Sequence, residues 1–204
     1  MSSPGDRTAR AVIRDEALRL FADRGPDAVT VRQVAASAGV SPALVIRHYG
    51  SREGLVAAVD DHVVATLERV LAELADPASG SPFDPAAATG LVDAVFGRLS
   101  ADGALPRYLG RLLLDGGPAA SSAFRRLHEA AQGALAGLVG QGLASPGDDP
   151  AVRAAFLLTN DLAVIMLRDR IAEVIGDDPL SSAGMRRWAA ELTQIYDHGL
   201  RGRR

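Results

Sequence analysis

The sequence predicts an all-α chain: a three-helix head that contains a helix-turn-helix, followed by a longer helical body. Three observations carry this. Apolar residues make up 48% of the 204 positions and aromatic ones only 4%, with Ala, Leu, Arg and Gly abundant, a balance that favours helices over sheets. Apolar residues recur at helical spacing through most of the chain. Between Thr30 and Leu55, in TVRQVAASAGVSPALVIRHYGSREGL, cap and turn residues follow one another closely enough to mark two short helices and the start of a third.

From Arg7 to Arg24, Ile13, Ala17, Leu20 and Phe21 share one face, which makes a first helix able to cover the back of the pair that follows. Its arginines either form a solvated face or include one or two backbone-phosphate contacts. Thr30 followed three residues later by Gln33 is a capping box, and Val29 with Val34 has the spacing of a hydrophobic staple, so a second helix begins at Val31. Gly39 supplies the residue that can turn left-handed just past its end. Ser41 caps the next helix, Pro42 suits its first position, and Val40 with Val45 repeats the staple. Gly50 closes that helix and Ser51 caps a long fourth one, Ser51 to Ala75, striped by Leu55, Val59, Val63, Leu67, Val70, Leu71 and Leu74.

The run AGVSPALVIRHYGSREGL resembles the N-terminal hallmark of the TetR family of bacterial transcriptional regulators, with Ala38, Gly39, Val40, Ser41, His48, Tyr49, Ser51, Arg52, Glu53 and Leu55 at matching places. The match covers about the first quarter of the chain. Two positions depart from it: the family often has Tyr where this chain has Ile46, and Pro or Lys where it has Gly50. Loss of that Tyr removes one expected phosphate contact, for which Arg47 can compensate.

The body continues with helices from Ala86 to Leu99, Leu105 to Leu114, which ends at the breaker Asp115-Gly-Gly-Pro118, and Ala119 to Val139. Two long helices finish the chain, Pro150 to Ile175 with Asp149 as cap, and Ser181 to about His198. Asp60, Asp61 and His62 are no metal set by spacing, because neighbouring helical residues point about 100 degrees apart.

The resemblance implies a division into a DNA-binding domain, residues 1–52, and a helical ligand-binding and dimerisation domain, residues 53–204. It implies a double-stranded DNA operator, palindromic and bound by a homodimer, with a small-molecule inducer releasing the protein. It puts Pro42, Ala43 and Leu44 against the bases, where small apolar side chains suit thymine methyls and shape. Arg32 either reads guanine or holds a phosphate. Thr30, Ser41, Arg47, His48, Tyr49 and Arg52 position the backbone, with Tyr49 alternatively a plug beneath the third helix. Phe96, Tyr108, Phe124, His128, Phe156 and Trp188 are either pocket residues or core. Asn160, Asp161 and Arg168 are polar groups of an otherwise apolar helix, available to a ligand or to a dimer contact. The last two helices resemble the family's dimer interface, or else they pack within one chain.

Other classes fare worse. The chain has no Cys, no G-x-S-x-G, no P-loop and no H-E-x-x-H, its four His are scattered, and no cofactor is implied, so the reading is not an enzyme. Control by a protein partner in place of a small molecule stays open. Net charge is −3, which alone argues against nucleic acid, but up to Arg52 arginines outnumber acidic residues and the acidic surplus lies beyond. No apolar run reaches the ~18 residues of a membrane span, and the N-terminal MSSPGDRTAR has no apolar signal core. The expected location is therefore the cytoplasm, without membrane partners.

Overall fold

The computed structural model describes residues 4–79 and 103–198, and among these every regular element is helical. The expected helix from Ala86 to Leu99, and Phe96 within it, lie outside the described residues. The helices are α1 (Pro4–Arg24), α2 (Val31–Ser37), α3 (Pro42–Tyr49), α4 (Arg52–Leu74), α5 (Ala104–Leu114), α6 (Gly117–Gly140), α7 (Pro150–Met166), α8 (Arg168–Ile175) and α9 (Ser182–His198). Short 3-10 turns occupy Pro26–Ala28 and Pro77–Ser79. No single described helix is long and apolar enough to cross a membrane.

Two compact units emerge from the packing, one formed by the chain up to Leu67 together with a segment ending at Arg126, the other by the remainder. In the first, α1 packs on α2, α3 and α5. Ile13, Ala17 and Phe21 of α1, Val34, Val45, Leu55, Val59 and Leu109 form its core, each almost wholly removed from solvent. Of the residues at the staple positions, Val29, Val34 and Val45 are buried and Val40 is part-buried. Polar links bind α5 to the same body. The Tyr108 hydroxyl donates to Asp60 Oδ1 of α4 at 2.6 Å, its ring stands 6.1 Å from that of Phe21, and Arg107 pairs with Asp23 at 3.0 Å.

The second unit has its own core, with Leu127, Ala131 and Leu135 of α6, Ala154, Leu158, Leu162 and Ile165 of α7, and Leu180. Gly137 lets α6 pass close to the end of α4: a Cβ there would stand 3.2 Å from that of Ala75, and Gln141 Nε2 donates to the Ala75 carbonyl at 2.9 Å. Asp149 caps α7 as expected, accepting from the amides of Ala151 and Val152 at 3.1 Å.

The expected helix from Pro150 to Ile175 is in fact two, bent by 77° where Leu167 leaves helical geometry (φ −101°, ψ 15°). Neither Pro nor Gly marks the break in the sequence. Beyond it, Arg168 forms a two-pronged ion pair with Asp178, at 2.9 and 2.6 Å, and Asp178 also accepts the Leu180 amide at 3.0 Å. A carboxylate ten residues away therefore holds the first turn of α8 in its new direction. The Arg168 guanidinium, with the Leu180 amide, keeps the Asp178 carboxyl below the usual range. Arg168 is thus committed within its own chain.

Candidate DNA interface

The helix-turn-helix is built by local chemistry. The Thr30 hydroxyl accepts the Gln33 amide at 3.3 Å while the Gln33 side chain accepts the Thr30 amide at 2.8 Å, a complete capping box. α2 stops at Ala38, and Gly39 turns the chain at φ 66°, a conformation that costs a side chain roughly 1–2 kcal/mol. Ser41 Oγ then accepts the Leu44 amide at 3.3 Å, with Pro42 in the first turn of α3. After Gly50, Ser51 Oγ accepts the Gly54 amide at 3.0 Å and opens α4. The junction is tight: a Cβ on Gly54 would stand 2.1 Å from the Tyr49 carbonyl oxygen. Sequence reading passed over Gly54, because a glycine inside a helix announces a close approach only once its neighbour is known.

The outward surface divides its arginines into two kinds. Arg14 is paired with Asp15 at 2.7 Å, and Arg19 with Glu16 at 2.8 Å and with Ser37. The Ser37 hydroxyl also donates to Glu16, and these two bonds, the Ser37 one foremost, hold the Glu16 carboxyl below its usual range. By contrast Arg32 of α2 and Arg47 of α3 are exposed and have no acidic partner among the described residues. An unpaired guanidinium on a helix surface is ready for phosphate or a base edge without first breaking an internal bond.

Arg52, expected at a phosphate, is bonded within its own chain. Its guanidinium turns back to the carbonyls of Pro26 and Val29, the latter at 3.3 Å, and to Asp27 at 3.3 Å. It clamps the α1–α2 turn onto the start of α4. Tyr49 takes the plug alternative: its hydroxyl donates to the Arg10 carbonyl at 2.6 Å, Arg10 stacks 5.4 Å from the ring centre, and burial pushes the phenol up. His48 lies edge-on to Tyr49, part-buried. Thr30 and Ser41 spend their hydroxyls on caps. Pro42 and Ala43 are exposed, Leu44 half-buried, and Ile46, 42% exposed, lies beside Pro42 and Ala43 on the surface of α3.

The expected ligand residues are scattered. Tyr108 is 2% exposed and belongs to the first unit, as a core residue bonded to Asp60; Phe124 is in that unit too, and exposed. In the second unit His128 bonds the Ala151 carbonyl at 2.9 Å, and Trp188 is part-buried with its indole N–H enclosed and without a hydrogen-bond partner among the described residues. Phe156, at 64% exposure, faces outward beside Val152, one helical turn earlier, at 63%. Asn160 is part-buried and donates weakly to Asp161 at 3.5 Å. Asp161 is exposed but crowded by protein, and burial pushes its carboxyl up to about 6. Asp60 and Asp61, adjacent in sequence, serve different partners, Tyr108 and Arg126 (2.7 Å), as helical geometry requires.

Residues 13–59 match the family model of bacterial regulatory proteins of the TetR family, and residues 102–200 that of a Tetracyclin repressor-like C-terminal domain. The HTH-type transcriptional regulatory protein RaaS of Mycobacterium tuberculosis is 36% identical over 152 residues, 74% of this chain and 67% of that protein. The chain belongs to the TetR family. As a TetR-family member it is a helix-turn-helix, DNA-binding transcriptional regulator. The HTH-type transcriptional repressor Rv3405c of the same organism is 43% identical over 67 residues, 33% of this chain and 36% of that protein. SmeT, the repressor of the Stenotrophomonas maltophilia multidrug efflux pump SmeDEF, shares the fold at a TM-score of 0.63 and 22% identity, over 92% of this chain and 89% of that one. A SmeT–triclosan complex aligns at 0.65 and 20%, over 93% and 91%.

Proposed function

We propose that this TetR-family regulator is a repressor that binds a palindromic operator in the cytoplasm as a homodimer and leaves it when a small molecule binds the body. The observation that carries the DNA half is the outward face of α2 and α3, where Arg32 and Arg47 stand exposed, without an acidic partner among the described residues, beside two capped helix starts. Pro42, Ala43 and Leu44 meet base edges, Arg32 a guanine or a phosphate, and Arg47 a phosphate. Thr30, Ser41, His48 and Tyr49 hold the helices at the angle this needs, and Arg52 fixes the turn behind them. Rv3405c and SmeT, both named as repressors, favour repression.

The dimer reading is supported by apolar side chains left in water on the last helices: Val152 and Phe156 on α7, Leu167 at the bend, Val174 on α8 and Ile195 on α9. Large apolar side chains exposed on these helices suit a self-complementary contact of the kind a two-fold dimer uses. Function divides as residues 1–52 for DNA and 53–204 for ligand and dimer, with α5 packed on α1 of the former although in sequence it belongs to the latter. The enclosed, unpartnered indole N–H of Trp188 supports a ligand that brings a hydrogen-bond acceptor; SmeT has been solved with triclosan.

The test is selection of sheared genomic DNA on the purified protein at two salt concentrations, with the bound fragments sequenced. Enrichment of one or a few palindromes, together with a dimeric mass in light scattering, is expected. No enrichment at either salt overturns the reading.

A further inference from the structure

One side of α3 has a chemical character that the matching family pattern does not have. Pro42, Ala43 and Ile46 stand at i, i+1 and i+4, so they are neighbours on the exposed part of the helix surface, while Val45 points into the core. Ile46 is a large branched apolar side chain with 42% of its surface in water. Val45 next to it takes the inward position and is fully buried. Hydrogen-bonding side chains are scarce on this helix. The Tyr49 hydroxyl is occupied by the Arg10 carbonyl, and His48 is part-buried against Tyr49. That leaves Arg47 as the exposed polar side chain of α3.

A helix presenting Pro, Ala and Ile to the major groove has little with which to bond base edges. The apolar group on the groove floor is the C5-methyl of thymine. Resting on the reading that α3 enters the major groove, we propose that Ile46 is a specificity residue that, with Ala43 beside it, recognises thymine methyl groups in each operator half-site. Ile46 replaces a phosphate-contacting Tyr of the family pattern, so the position changes from holding the backbone to reading sequence, and Arg47 takes over the phosphate. A methyl packed against a methyl discriminates by burial: withdrawing one methyl from water changes affinity by about fourfold.

Deoxyuridine removes that methyl and leaves every hydrogen-bonding group of the base pair in place. The operator recovered by genomic selection is resynthesised with each thymine in turn replaced by deoxyuridine, symmetrically in both half-sites, and titrated by fluorescence anisotropy with the native chain and with Ile46→Ala. At one or two thymines per half-site the native chain should bind about fourfold more weakly for each methyl lost, whereas Ile46→Ala should be indifferent to at least one of the same replacements. Thermal unfolding of the variant at the native temperature shows that the head is intact, and the deoxyuridine scan of the native chain stands without it. Tight binding unaffected by any replacement overturns this proposal while leaving the regulator reading in place. So does a penalty that is the same in the native chain and in Ile46→Ala. Failure to recover any operator is the failure of the earlier reading and is seen before this experiment begins.

Discussion

Tyr108→Phe isolates the polar link between α4 and α5. It deletes one oxygen, leaves the ring against Phe21, and strips Asp60 of its hydroxyl donor. A hydrogen bond to a charged acceptor contributes about 1.5–3 kcal/mol. Asp60 is only part-buried, and solvent moderates the loss, so about 1–2 kcal/mol is the appropriate figure at neutral pH. In a chain of this length that lowers Tm by roughly 2–8 °C. The sign of the pH dependence follows from the carboxyl. Burial raises Asp60 above the ordinary 3.8, and the Tyr108 bond opposes that rise. The folded chain therefore holds this proton more tightly than the unfolded chain, a contribution that is full below about 3.8 and lost as pH rises through the raised value. Removing the hydroxyl lifts the carboxyl further and enlarges the loss at neutral pH. Thermal unfolding followed by circular dichroism at about pH 7.5 and about pH 4.5 should show the larger deficit at the higher pH. In an Asp60→Asn background, which keeps the acceptor oxygen but abolishes the charge, Tyr108→Phe should cost about 1 kcal/mol or less at both. An equal deficit at both pH values, or one undiminished by Asp60→Asn, would refute the idea that the bond matters by sheltering a buried charge.

Other perturbations test the remaining pieces. Gly54→Ala should lower stability by about 1–3 kcal/mol, despite alanine's higher helix propensity, because its Cβ meets the Tyr49 backbone oxygen; a variant as stable as the native chain in urea unfolding would contradict the close approach. Arg52→Ala should lower Tm and make the turn at Pro26–Ala28 a faster site of proteolysis, while leaving the salt slope of DNA binding unchanged; Arg47→Ala should do the reverse, flattening that slope by about one phosphate.

Some residues reveal their roles to anyone reading neighbours along the chain, and others do not. Thr30 with Gln33, Ser41 with Leu44, and Gly39 between them act across three or four residues, so their types and spacing suffice. The apolar stripes of α1 and α4 are legible for the same reason, because a helical period sorts inward from outward positions before any partner is known. Arg52 and Tyr49 were harder: an exposed-looking Arg and Tyr beside a recognition helix suit phosphate equally well, and only the arrival of the Pro26–Val29 carbonyls and of the Arg10 carbonyl assigns them inward.

What the sequence by itself determined is therefore the local grammar of the head: where α2, α3 and α4 begin, how the turn between them is made, and which family such a turn belongs to. Capping, staples and left-handed glycines are short-range interactions, fixed by side-chain type within one helical turn. Tertiary structure alone decided that α5 packs on α1 of the head, with Tyr108 beside Phe21 and bonded to Asp60 of α4, 48 residues away, that the expected helix from Pro150 to Ile175 bends at Leu167, with Arg168 just beyond paired to Asp178, and that Phe156 faces water while Tyr108 is buried. An aromatic at helical spacing has the same period whether it faces core, pocket or solvent. Its fate is set by which distant surface the chain brings against it, and periodicity along a single helix carries no record of that surface.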